Sequence, residues 1–133
     1  RQPTKGQYAP VIGLFQKQYS ENLPMTVIGD GLQRRDFTHV SDVVNANIVA
    51  SMVTEEDAVG EIYNIGSGVN YSVLDLVEMI GGDGYEISFL PERPGESRQT
   101  LSDCDKAKRY LGWHPKVNLK EWLQNSIGIC NGK

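Results

Sequence analysis

The stretch Val27-Ile28-Gly29-Asp30-Gly31-Leu32-Gln33-Arg34-Arg35-Asp36-Phe37-Thr38-His39-Val40-Ser41-Asp42 holds a β-prone run, a glycine turn, two arginines, a second β-prone run and a helix entry. Met25 to Ile28 and Asp36 to Val40 read as short strands, since branched and aromatic residues cluster there. Gly29-Asp30-Gly31 is turn sequence, and polar Leu32-Gln33-Arg34-Arg35 extends it into a loop. Ser41-Asp42 then supplies helix-capping side chains. Val43, Ala46, Ala50 and Val53 follow at i, i+3, i+7 and i+10, which predicts a helix that leaves through Glu55-Glu56-Asp57.

Outward from this core the punctuation continues. On the N-terminal side, Tyr8, Val11, Ile12, Phe15 and Tyr19 recur at helical spacing from about Gln7 to Ser20, with Pro10 near the start and Pro24 beyond the end. On the C-terminal side, Glu61 to Ile65 reads as a short strand stopped by Gly66-Ser67-Gly68. Ser72 and Asp75 form a capping box, and Val73, Leu76, Val77 and Ile80 share one face before Gly81-Gly82. Tyr85, Ile87 and Phe89 alternate with Glu86 and Ser88 as in a half-buried strand. Ser102 with Asp105 and Asn118 with Glu121 mark two more helix starts, the first closed by Gly112 and the second carrying Leu119, Trp122, Leu123 and Ile127. The mixture is α/β or α+β.

Composition narrows the function classes. The chain has 133 residues, 13 Lys and Arg against 17 Asp and Glu, and a formal net charge of −4. A nucleic-acid binder working by bulk charge would show a basic surplus instead. Leu, Ile, Val and Phe make up about a quarter of the chain, enough for a packed core. No apolar run approaches the roughly 18 residues of a membrane span, and no secretory leader pattern opens the chain, so a soluble, cytoplasmic protein is expected. One domain suits the length, yet the sequence opens Arg1-Gln2-Pro3 without an initiator Met, and we expect it to be a piece of something larger. Cys104 and Cys130 fit no metal or redox spacing and are expected as buried free thiols. His39 and His114 lack ligand spacing, and no metal site is expected. Core packing is expected of Trp113 and Trp122.

Two polar loops carry the chemistry. Gly29 to Phe37 and Pro91-Glu92-Arg93-Pro94-Gly95-Glu96 each set Arg beside Gly between strand-like runs. A guanidinium fork matches a pair of phosphate oxygens, and glycine lets the backbone come close, so two such loops could grip a diphosphate. The competing reading makes these arginines surface charges paired with nearby acids. Asp36, His39 and Asp42 have a structural reading too, as a carboxylate accepting backbone amides or as a helix cap.

The residues from Val27 to Asp42 resemble the G-D-G-x-Q-x-R-D-F-x-H-V-x-D signature of extended short-chain dehydrogenase/reductases, the NAD-dependent nucleotide-sugar epimerases and dehydratases. Tyr63-Asn64-Ile65-Gly66-Ser67-Gly68 is similar to that family's Y-N-I-G-S-G strand end, and Arg93-Pro94-Gly95-Glu96 to its R-P-G-E/D loop. Asp103, Lys106-Ala107 and Leu111-Gly112-Trp113-His114-Pro115 resemble its closing D-x-x-K-A and L-G-W-x-P elements. The resemblance implies a Rossmann-type α/β fold of which residues 1–133 are the C-terminal substrate-binding portion. One or more strands, Ile62 to Ile65 among them, would belong to the nucleotide-binding sheet of an absent front half.

What the resemblance implies for the chemistry is equally partial. The chain has no G-x-x-G-x-x-G turn for a dinucleotide pyrophosphate, and Gly66-x-Gly68 and Gly81-Gly82-x-Gly84 have the wrong spacing. The family's acid–base Tyr is followed four residues on by Lys. Here Tyr8, Tyr19, Tyr63, Tyr71, Tyr85 and Tyr110 are followed at that distance by Ile12, Leu23, Ser67, Asp75, Phe89 and His114. No catalytic residue and no NAD are therefore expected on this chain alone, although NAD is expected in the intact parent. By the resemblance, Arg35 and Arg93 contact a nucleotide diphosphate, Glu96 accepts from ribose hydroxyls, and Ala9 and Val11 lie against the base. Gln2, in the segment continuing the family's Y-G-P-R-Q, is also counted among the substrate-binding residues. Arg34 and Arg98 are less strongly fixed by the pattern. The expected partners are a nucleotide-sugar substrate and either the front half or a second copy; the alternative is a stand-alone, non-catalytic module binding nucleotide sugars or a protein.

Overall fold

A computed structural model describes residues 10–130, which form two compact units. The first takes in the residues up to Arg34, Tyr71–Gln99, and those from Lys120 on; the second takes in Arg35–Asn70 and Thr100–Leu119. No helix among the described residues is long and apolar enough to cross a membrane.

In the first unit, α1 (Val11–Ser20) follows Pro10, whose fixed φ suits the entry to a helix, and buries Ile12 and Phe15. Asn22, at φ 53, turns the chain into β1 (Met25–Ile28), whose Met25 and Val27 point into the core. β1 pairs in parallel with β4 (Ile87–Leu90), Met25 opposite Ile87 and Ile28 opposite Leu90. A parallel pair needs a crossover, and it contains α3 (Val73–Gly81), which buries Val73, Leu76, Val77 and Ile80. The predicted capping box is present: Ser72 Oγ accepts from Asp75 N at 3.0 Å while Asp75 Oδ2 accepts from Ser72 N at 2.8 Å. Gly81 ends this helix against Tyr85, where a Cβ would come within 2.4 Å of the ring. α5 (Leu119–Cys130) buries Leu123 and joins α1 through Gln16 Nε2 donating to Ser126 Oγ at 2.8 Å.

The second unit is built on α2 (Val40–Met52) and α4 (Asp105–Leu111) around Ala46, Cys104, Ala107, Leu111 and Trp113. Trp113 is 1% exposed and donates its indole N–H to the carbonyl of Asp42 at 3.2 Å, so its predicted packing role holds. Asp42 is buried and its carboxylate accepts the amides of Lys116 and Val117, both at 3.1 Å. This is the amide-accepting role anticipated for it. Gly112 closes α4 in the left-handed conformation, as its position predicted. Cys104 is a buried free thiol; the side chain of Cys130 lies outside the described ones. Two short strands, β2 (Arg34–Asp36) and β3 (Asn70–Ser72), pair with each other and contain the points where the chain passes between units.

Four expectations need correction. The second strand ends at Asp36, because His39 caps α2: its Nδ1 accepts from Ser41 N at 3.2 Å and its carbonyl accepts from Asp42 N at 3.0 Å. Local capping outweighs the β-preference of Phe37 to Val40. The buried face of α2 is Asp42, Ala46, Val49 and Val53, while Val43 and Ala50 are exposed. Glu61 to Ile65 is no strand here, since a ladder needs a neighbour and no described strand lies beside it. α4 starts after Cys104 and not at Ser102, whose amide instead donates to Asp36 Oδ2 at 3.2 Å. The predicted start of the first helix at Gln7 lies outside the described residues.

Candidate functional site

Loops that follow the carboxyl ends of parallel strands are where open α/β sheets place their ligands. The first unit has two such loops, Gly29–Gln33 after β1 and Pro91–Ser97 after β4. The strand pairing carries directly into them, because Gly29 N donates to Leu90 O at 2.9 Å. Farther out, Arg34 N donates to Arg98 O at 2.9 Å, with a bridge between Arg34 and Gln99. A small cleft between the loops is lined by Gly29, Asp30, Gln33, Glu92, Glu96 and Arg98, among others. The two polar segments singled out in the sequence are thus neighbours along their Gly29–Arg34 part.

Arg34, Arg93 and Arg98 each lie beside an acid. Arg98 makes two parallel bonds to Asp30, Nη1 to Oδ1 at 2.8 Å and Nη2 to Oδ2 at 2.7 Å. The Arg98 guanidinium is the main reason the Asp30 carboxyl is held down at about 2. Arg34 Nη1 lies 3.4 Å from Asp75 Oδ2, so it leans on the capping box of α3. Arg93 Nη1 lies 3.9 Å from Glu96 Oε1 within its own loop. The surface-pairing reading therefore describes Arg34 and Arg98, and Arg93 shares its charge with the carboxylate predicted to serve beside it. Gln33 Nε2 donates to Ile28 O at 2.9 Å, making this signature residue a staple of the turn.

The second unit holds Arg35, half-buried in the middle of β2 and already engaged in an interaction. Beside it in sequence, Asp36 accepts four hydrogen bonds: from Ser67 Oγ at 2.6 Å and from the amides of Ser67, Gly68 and Ser102 at 2.8, 3.0 and 3.2 Å. Desolvation, the largest single influence, pushes its carboxyl upward, but the bonds together outweigh it and the pKa lies below the usual carboxylate value. Gly66 is required there, because a Cβ would sit 2.3 Å from Ser102 Cβ and 2.8 Å from Asp36 Oδ2. Of the other predicted contacts, Val11 opens α1 and is half-buried, while Ala9 and Gln2 lie outside the described residues.

Neither glycine cluster offers a dinucleotide cradle. The amides after Gly66 are taken by Asp36, and Gly81-Gly82 sits at the C-terminal end of α3, where the helix dipole repels phosphate.

The family model for GDP-mannose 4,6 dehydratase matches residues 5–126. The chain belongs to this family. Within it the chain is similar to NAD-dependent nucleotide-sugar epimerases and dehydratases. An uncharacterized UDP-glucose epimerase of Bacillus subtilis is 37% identical over 118 residues, covering 86% of this chain and 37% of the relative. The UDP-glucose 4-epimerase of Thermotoga maritima, solved with UDP-glucose, superposes with a TM-score of 0.80 at 34% identity, over 96% of this chain and 41% of that one. UDP-glucuronic acid 4-epimerase of Bacillus cereus, solved with UDP-glucuronic acid and NAD, gives 0.80 at 34% identity, over 92% and 40%. The chain thus spans about two fifths of the length of these family members, and its α/β fold is that of Rossmann-type epimerases over the matched part.

Proposed function

We propose that this chain is the C-terminal, nucleotide-sugar-binding portion of an NAD-dependent epimerase or dehydratase, most similar to UDP-sugar 4-epimerases, and that it is catalytically incomplete by itself. The observation that carries the reading is the pairing of loops Gly29–Gln33 and Pro91–Ser97 beyond a parallel strand pair, with Arg93 and Glu96 on the second. Arg35 and Arg93 neutralise the diphosphate of the nucleotide, and Glu96 moves from Arg93 to the ribose hydroxyls as phosphate takes its place. Val11 and Ala9 serve the base side, and Gln2 belongs to the same substrate-binding set. NAD, bound by a front half with its own glycine-rich turn and Tyr–Lys pair, supplies hydride chemistry; this chain's share is to hold the substrate's diphosphate end.

The front half, or failing it a second copy, also covers surface that this chain leaves open. Val40, Val44, Ile48 and Met52 fall at four-residue intervals on α2 and are all exposed, Met52 at 73%, and Ile62 is 86% exposed. Tyr63 and Ile65 pack on the core of the second unit, so the segment alternates as an edge strand does. Such an assembly belongs in the cytoplasm, where Cys104 stays reduced.

Calorimetry with UDP-sugars, followed by addition of the front half as a separate polypeptide, tests the reading. Binding without turnover, weakened about 10- to 100-fold by Arg35→Ala or Arg93→Ala, is expected, since a charged hydrogen bond is worth roughly 1.5–3 kcal/mol. Activity should appear when the front half is added. Binding indifferent to both arginines would overturn the site, and a front half that binds the chain yet restores no turnover would overturn the assignment to an epimerase or dehydratase.

A further inference from the structure

Arg93 and Glu96 sit on a loop with proline at 91 and 94 and glycine at 95, with no secondary structure of its own. A ligand group on such a loop is useful only if something fixes the loop's course. Its two stems are pinned by backbone bonds, Gly29 N to Leu90 O and Arg34 N to Arg98 O. At the second pin the forked contact of Arg98 with Asp30 also ties the loop's distal end to the opposing turn.

Asp30 is built as a fixed post. Its Oδ1 also accepts from Leu32 N at 2.9 Å, which locks the carboxylate across its own turn. Gly29 and Gly31 flank it with φ of 64° and 73°. At Gly31 a Cβ would come within 2.8 Å of Leu74 and 2.9 Å of Val27, so the turn lies against the core with no room to shift. Arg98 in turn spends both terminal nitrogens on Asp30. The two arginines of the loop have therefore divided their tasks.

We infer that the Asp30–Arg98 pair is a positioning latch, which presets the Pro91–Ser97 loop so that Arg93 meets the diphosphate and Glu96 the ribose hydroxyls without the loop first having to order. This rests on the function proposed above and adds to it two residues that do not touch the ligand. The Arg98 and Asp30 side chains are 58% and 51% exposed, and an exposed ion pair contributes little to global stability. Its effect is local, on the loop's order. The latch is no pH switch, because Asp30 stays ionised down to about 2.

The test uses the full chain, with UDP as titrant and amide hydrogen exchange of Glu92 to Ser97 measured without ligand. Arg98→Ala is expected to speed that exchange and weaken UDP binding, each by about 10-fold, with the unfolding midpoint moved by no more than about 2 °C. Asp30→Asn with Arg98→Ala should add no further loss, and Arg98→Lys, which keeps the charge without the fork, should recover part of it. Faster exchange with unchanged affinity overturns the positioning role. Weaker binding with unchanged exchange makes Arg98 a direct ligand and overturns it as well. UDP binding lost in Arg93→Ala but retained in Arg98→Ala sinks the latch and leaves the proposed function standing. A wild-type chain that does not bind UDP overturns the proposed function and the positioning role together.

Discussion

At the scale of single residues, Asp36 shows how a carboxylate next to a proposed ligand-binding position can be wholly occupied with structure. Its four bonds gather the amides of Ser67, Gly68 and Ser102 and the Ser67 hydroxyl around one group, tying two separate segments of the second unit to β2. Asp36→Ala leaves these donors to whatever water reaches them and should cost about 2–4 kcal/mol. Because the folded pKa is depressed, the stabilisation is fully present above the unfolded carboxyl's ordinary value, about 3.9, and is lost as pH falls through the lower folded value. Urea unfolding of wild type and Asp36→Ala should therefore show a gap at pH 7 that narrows under acid. A gap of constant width from pH 7 to pH 2 would mean that the four bonds do not act through the ionised form.

At the scale of elements, the sequence is most legible where a local rule is self-contained. The capping box of α3 needs only Ser72 and Asp75, and both bonds form as expected. Ser72→Ala should cost about 1 kcal/mol. Asp75→Ala should cost more, because it also removes the carboxylate on which Arg34 leans. Equal losses measured by thermal unfolding would show that the Arg34 contact contributes nothing. Legibility ends where a partner decides. Val43, Ala46, Ala50 and Val53 fit a helix as well as Asp42, Ala46, Val49 and Val53 do, and only the position of α4 and Trp113 selects the second set. In the same way the charge of Arg98 is visible in the sequence, but its bond to Asp30, 68 positions away, follows from the parallel pairing of β1 and β4. Gly66 reads as a strand stop, whereas its role is close approach to Ser102. Gly66→Ala should lower stability by about 2–3 kcal/mol through that clash and loosen the bonds of Asp36.

At the scale of the whole molecule, what matters is apolar surface that folding leaves exposed. Monomeric proteins tolerate single exposed apolar residues but seldom a continuous stripe. The four-residue spacing of Val40, Val44, Ile48 and Met52 makes such a stripe on α2, and Lys106 meanwhile anchors Glu61 at 2.6 Å and lies 5.2 Å over the Tyr63 ring. That anchoring matters because it fixes the Glu61–Ile65 segment in place while its backbone pairs with no described strand. A chain built this way should associate. Sedimentation velocity is expected to show mass rising with concentration, and Ile48→Lys or Ile62→Lys should shift the chain toward monomer without changing its helical circular dichroism, since both side chains are exposed. Added front half should do the same by replacing the second copy. A wild-type chain that stays an ideal monomer up to the highest soluble concentration would show that this surface is at home in water and that no covering partner is needed.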